Sequence, residues 1–112
     1  MTKMLFVSTE NVVEIVEVND DQIREKIGGW MEIVRPRGLP NFCLLVDEEG
    51  LLKNKPINSV GSLWYGYRTH GNPIVGDILI SKLDGEGNLV SFDDADILYV
   101  KREIELILGV TV

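Results

Sequence analysis

Leu5-Phe-Val-Ser-Thr-Glu-Asn-Val-Val-Glu-Ile-Val-Glu-Val18 decides the class of fold. Leu5–Ser8 and Val12–Val18 are apolar or β-branched stretches separated by Thr9-Glu-Asn11, and in the second stretch Val12, Glu14 and Val16 alternate with Val13, Ile15 and Glu17. Two strands joined by so short a turn form a β-hairpin, which is antiparallel by necessity. Working outward, Asn19 is placed to cap a short helix. Asp20 and Asp21 stand at its positive end, Ile23 and Ile27 share one face, and Gly28-Gly29 stops it. Trp30–Val34 and Phe42–Val46 read as two further strands, interrupted by Arg35-Pro-Arg-Gly-Leu-Pro40, whose prolines continue neither. Asp47-Glu-Glu-Gly50 has the composition of a tight turn. Asn58 caps a weaker helical turn over Ser59–Tyr65, and Val75–Lys82 with Asn88–Phe92 makes a hairpin closed over Leu83-Asp-Gly-Glu-Gly87. Asp93, Asp94 and Asp96 then open an amphipathic helix in which Ile97, Val100, Ile104, Ile107 and Leu108 recur at helical spacing before Gly109.

The expectation is a single α+β domain over residues 1–112. Its sheet is mainly antiparallel and built from hairpins, with a short N-terminal helix and a longer amphipathic C-terminal helix. The helices are expected on one face of the sheet.

Composition bounds the function. The 112 residues carry 11 Lys plus Arg against 18 Asp plus Glu, a formal charge of −7, with 45% hydrophobic residues and one cysteine. Such a chain is expected to make one domain that folds without disulfides or a metal. No apolar run reaches the roughly 20 residues of a membrane span, and the N-terminal apolar run is shorter than a signal peptide requires. A cytoplasmic protein without membrane partners is expected. There is no phosphate-binding Gly-Lys-Ser/Thr loop, Cys-x-x-Cys pair, His-Glu-x-x-His or Gly-x-Ser-x-Gly, and His70 is the one histidine. Metalloenzyme and nucleotide-hydrolase chemistries are therefore set aside, and no cofactor is expected. Asp84, Glu86 and Asn88 have the opening spacing of a calcium loop, but Leu89 and Ala95 occupy the places of its glycine and bidentate glutamate, so a hairpin turn is the better reading. Asp93, Asp94 and Asp96 are accounted for by the helix dipole, and Cys43 by an apolar strand.

Charge is unevenly distributed. Residues 33–76 hold five basic groups, Arg35, Arg37, Lys53, Lys55 and Arg68, against three acids. The same stretch contains Trp64, Tyr65 and Tyr67, followed by Arg68, His70 and Asn72. Guanidinium groups suit phosphate or carboxylate, aromatic faces suit a flat ring, and Asn or His suits its edge. The candidate ligand-binding set is therefore Arg35, Arg37, Asn58, Trp64, Tyr65, Tyr67, Arg68, His70 and Asn72, for a nucleotide-like anion. The competing reading places Trp64 in the core, the tyrosines over a loop and the arginines in solvent. Duplex nucleic acid is not an expected partner of so acidic a chain. Leu98, Tyr99, Leu106, Val110 and Val112 offer a surface for homodimer formation.

Ile27-Gly-Gly-Trp-Met-Glu-Ile-Val34, Leu45-Val-Asp-Glu-Glu-Gly-Leu-Leu52, Lys55-Pro-Ile-Asn58, Ile74-Val-Gly-Asp-Ile-Leu-Ile80 and Val90-Ser-Phe-Asp-Asp94 follow one another along the chain. In this order they resemble a family of small domains carried by bacteriophages and mobile elements, the domain of unknown function 3846 type. The segment Gly61–Asn72 maps onto none of the shared motifs. The resemblance implies a phage accessory protein acting in the host cytoplasm on a host process or defence system, and it carries no activity over. Two non-enzymatic mechanisms follow: sequestration of a nucleotide-like molecule, or inhibition of a host protein through an acidic and aromatic surface. An acid/base pair of Asp77 and His70 is the enzymatic alternative.

Overall fold

Asn19 and Asp93 do at the two principal helices what their positions in the chain imply. In the structure, a computed structural model describing residues 1–66 and 71–112, each side chain accepts the amide of the third helical residue. That residue, Gln22 or Asp96, reaches back to the cap's own amide. Helix α1 spans Asp20–Ile27 and ends at Gly28 in the left-handed conformation. Helix α2 spans Ser59–Tyr65, capped by Asn58 and ended by Gly66. Helix α3 spans Asp94–Leu108 and ends at left-handed Gly109.

The strands are β1 (Thr2–Val7), β2 (Val13–Val18), β3 (Met31–Val34), β4 (Cys43–Asp47), β5 (Ile78–Leu83) and β6 (Leu89–Val90). Every pairing is antiparallel, in the order β2-β1-β5-β4-β3, with β6 beside the far end of β5. The α+β class and the antiparallel sheet stand as expected. The second hairpin is shorter than the expected 75–82 and 88–92. Gly76 takes φ +81°, so β5 begins only at Ile78, and Val75 forms a lone bridge with Ile57. Phe92 leaves β6 to donate to the Lys3 carbonyl at 2.9 Å.

The expectation that the helices share one face is corrected. Met4, Cys43, Leu45 and Leu79 form one core with Ile23 and Ile27 of α1, whereas Leu5, Leu44, Ile78 and Ile80 form a second with Trp64 of α2 and Val100 and Ile104 of α3. Successive strand residues point to opposite faces, and in the central strands both parities are apolar and buried. Helices must therefore cover both sides. Each such side chain contributes about 1.5–3 kcal/mol by leaving water, so an uncovered face is not an option for this sequence. Cys43 lies in the α1-side core, 1% exposed. Burial pushes its thiol up to about 11, against smaller opposing effects of Arg35 and the Ser81 amide. The Asp84 carboxylate folds onto the Glu86 and Asn88 amides, the hairpin turn foreseen for it.

Candidate functional site

Asp47 ends β4 with its side chain on the α1 side and almost completely buried. Its Oδ2 accepts from Lys53 Nζ at 2.8 Å and Lys55 Nζ at 2.7 Å, and its Oδ1 accepts from the Glu49 amide at 2.9 Å. The two ammonium groups also donate to the last carbonyls of α1: Lys53 to Gly28 at 3.1 Å and Lys55 to Ile27 at 2.7 Å. Cations belong at this negative helix end. Burial pushes the Asp47 carboxyl up, but the hydrogen bonds from Lys53, Lys55 and the Glu49 amide outweigh it and hold the group down to about 2. The bond to Asp47 conversely raises the Lys53 ammonium. A lysine so fixed in its charged form is no nucleophile or base.

Small residues make room for this clasp. A Cβ at Gly29 would stand 2.5 Å from Asp47 Oδ1, and one at Gly76 would meet Lys55 Cδ at 2.8 Å.

Asn58 is the second polar centre. Wholly buried, it accepts the Gly61 amide at 3.0 Å and donates to the carbonyls of Val7 at 3.1 Å and Gly76 at 3.0 Å. It therefore joins β1, the approach to β5 and α2. Nearby Ser62 Oγ donates to the Ile74 carbonyl and accepts the Ile74 amide.

These placements revise the candidate set. Asn58 is engaged by the scaffold on all sides and presents nothing to a ligand. Trp64 is 4% exposed, its backbone carbonyl holding the Gly38 amide at 2.8 Å, so its ring belongs to the core and offers no stacking face. Tyr65 is half-buried against the same core. Arg35, Arg37 and Asn72 are exposed. The loop through Gly38 packs on the end of α2, which places Arg37 beside Gly66. Tyr67, Arg68 and His70 lie outside the described residues. Asp77, of the enzymatic alternative, accepts the Thr9 amide at 3.0 Å and so braces the β1–β2 turn. Lys53 and Lys55, part of the locally basic stretch, are directed at Asp47 and α1. Among the described residues no three His, Cys, Asp or Glu side chains are grouped to hold a metal ion, and no helix is long and apolar enough to cross a membrane.

Sequence reasoning missed Asp47 as a buried centre. Its signal was an acid closing an otherwise apolar strand, with two lysines inside the next eight positions. It also missed the surface around Trp30. That indole is 62% exposed, beneath the Arg24 guanidinium at 4.5 Å. Asp21, Arg24, Glu25, Gly29 and Trp30 line an open groove of about 480 Å³ there. Met31 and Ile33 are exposed beside it on β3, and Leu51, Leu52, Ile57 and Leu63 are also exposed. A groove of about 250 Å³ runs between Ile57, Leu63 and Pro73.

An antiparallel sheet covered on both faces, with an Asp–Lys–Lys clasp tying the first helix to the fourth strand, defines the class of domain. The family described as domain of unknown function (DUF3846) matches residues 1–105, and the chain belongs to it. Gly28-Gly29, Asp47, Lys55 and Asn58 of the two polar centres lie in the motifs quoted above, whereas Lys53 falls between two of them. Neither a curated protein nor a solved structure matches the chain.

Proposed function

We propose that this protein works without catalysing a reaction, by binding another protein through an apolar surface set among carboxylates. As a phage or mobile-element accessory protein, it would act on a host protein in the host cytoplasm. The observation that carries the reading is the exposure of Trp30, Met31 and Ile33 in one short stretch, 62%, 37% and 40%. Exposed aromatic and large apolar side chains grouped within a polar rim are the composition of an interface centre. The best-organised polar groups, at Asp47, Asn58 and Ser62, are meanwhile engaged in holding the fold together.

Sequestration of a nucleotide-like anion is the second reading. It is supported by the exposed guanidinium groups of Arg35 and Arg37, and weakened by the burial of Trp64 and Asn58. Capture from cytosol by immobilised wild-type protein, Trp30→Ala and the double variant Arg35→Ala/Arg37→Ala separates the two. Protein binding predicts one captured protein whose recovery falls with added salt and is lost in Trp30→Ala, while the arginine variant retains it. Undiminished capture by Trp30→Ala would contradict the reading. A small molecule retained by wild type and lost from the arginine variant would replace it with sequestration.

A further inference from the structure

Among the described residues, the end strand β3 leaves half of its backbone without a strand partner. The Glu48 amide donates to the Trp30 carbonyl, and the register pairs Glu32 with Val46 and Val34 with Leu44. In an antiparallel ladder alternate residues turn their N–H and C=O groups toward the neighbouring strand. Trp30, Glu32 and Val34 therefore face β4, and the backbone groups of Met31 and Ile33 face outward. Within Met31–Val34 there is neither lysine nor proline, two devices that commonly protect a free edge.

Grooves flank this edge on both faces of the sheet. On the α1 side lies the Trp30 groove, with Asp21 and Glu25 in its wall. On the other side Glu32, Glu48, Leu51 and Pro73 border a cleft of about 70 Å³. Glu25, Glu32 and Glu48 are exposed and take part in no ion pair among the described residues. The opposite edge, β2, carries Glu14 and Glu17 on its two faces but no exposed aromatic, and one side of it is joined by Val110 and Val112 near the end of the chain.

We propose that the open edge of β3 accepts an extended segment of a partner protein in which basic and apolar side chains alternate, adding a strand to the sheet. This rests on the protein-binding reading above and specifies its geometry. Main-chain hydrogen bonds from Met31 and Ile33 supply the register, and the two flanking grooves take alternate side chains. Trp30 and Ile33, on the α1 side, meet the apolar residues, and Glu32 and Glu48, on the other side, meet the basic ones. A second copy of this chain fits the edge less well, because each copy carries −7 and like charge opposes approach.

The test uses a capped heptapeptide of alternating lysine and valine, with Trp30 as reporter, since Trp64 is buried. Wild type should bind it with a blue shift of the exposed indole. Trp30→Phe identifies the signal by removing it. Methylation of the alternate peptide amides that face β3 should abolish binding, whereas methylation of the other set should not. Ile33→Pro removes an outward donor where proline is tolerated, and it should cost at least tenfold in affinity while keeping the far-ultraviolet circular dichroism of wild type. If the peptide methylated on the amides that face β3 binds as well as the unmodified peptide, edge pairing is refuted without recourse to any variant. Absence of peptide binding refutes the proposal also, and a concentration-dependent dimer broken by Ile33→Pro would then assign the edge to a second copy. Failure of the peptide with salt-sensitive capture intact removes this edge alone. Loss of capture together with a retained small molecule removes the protein-binding reading itself.

Discussion

Replacing Asp47 by asparagine tests whether the clasp between β4 and α1 is electrostatic. The carboxyl is held at about 2 instead of the ordinary 3.8, a difference corresponding to about 2 kcal/mol of native-state preference for the charged form. Asparagine keeps the shape and an acceptor for the Glu49 amide, but turns an NH2 toward two ammonium groups. Breaking a fully buried pair costs about 3–5 kcal/mol. Here the Lys53 and Lys55 side chains are 40% and 21% exposed and can turn toward water, so about 2–3 kcal/mol is expected. For a chain of this length that lowers Tm by about 10 °C at neutral pH.

The sign of the pH dependence follows from the direction of the shift. A depressed carboxyl pKa stabilises the folded state fully above the unfolded value near 3.8, and the contribution fades as pH falls toward about 2. Thermal unfolding of wild type and Asp47→Asn from pH 7 to pH 2 should therefore show a Tm gap that is constant above about pH 5 and closes below pH 4. Asp84 and Asp96 are also held low. Asp84 is held by the Asn88 and Glu86 amides; for Asp96, burial is outweighed by Lys82 and Asp93. Both groups are present in both proteins, so the gap isolates Asp47. A gap that persists unchanged to pH 2, or one under about 2 °C at pH 7, would refute the electrostatic account.

Asn58→Ala should lower the free energy of unfolding in urea by about 2–4 kcal/mol, since it removes a helix cap and the buried side-chain donor to the Val7 and Gly76 carbonyls. A loss below about 1 kcal/mol would show that those groups find other partners. Ser81 Oγ is buried with no hydrogen-bond partner among the described residues, so Ser81→Ala should be neutral or stabilising in the same assay. A loss above about 1 kcal/mol would mean that the hydroxyl does bond. The Cys43 thiol, raised to about 11, should resist iodoacetamide at pH 8 in the folded protein and react on unfolding, and rapid native alkylation would contradict its placement.

The helices and hairpins were legible because their signals are local. Asn19 and Asp93 cap, Gly28 and Gly109 stop, and isoleucines repeat at helical spacing between them. The adjacency of β1 and β5 joins residues more than seventy positions apart, and no local pattern announces it. The two-sided sheet was in principle readable, because Cys43-Leu-Leu-Val46 and Ile78-Leu-Ile80 are unbroken apolar runs, the mark of a strand buried on both faces. Among the candidate site residues, Arg35 and Arg37 reach the surface as their chemistry requires. Asn58 and Trp64 do not, because a capping amide and an indole are equally good scaffold parts, and only packing decides between the uses. Trp30 escaped notice for the converse reason: nothing local distinguishes an exposed strand-edge tryptophan from one at the start of a buried strand.

The central claim is that this protein functions by holding another protein. Native mass spectrometry of the protein recovered gently from cytosol tests it most directly. The account predicts a discrete complex with a second polypeptide, which dissociates as ionic strength rises and carries no small molecule. A protein of this chain alone that retains a nucleotide-like mass would contradict it.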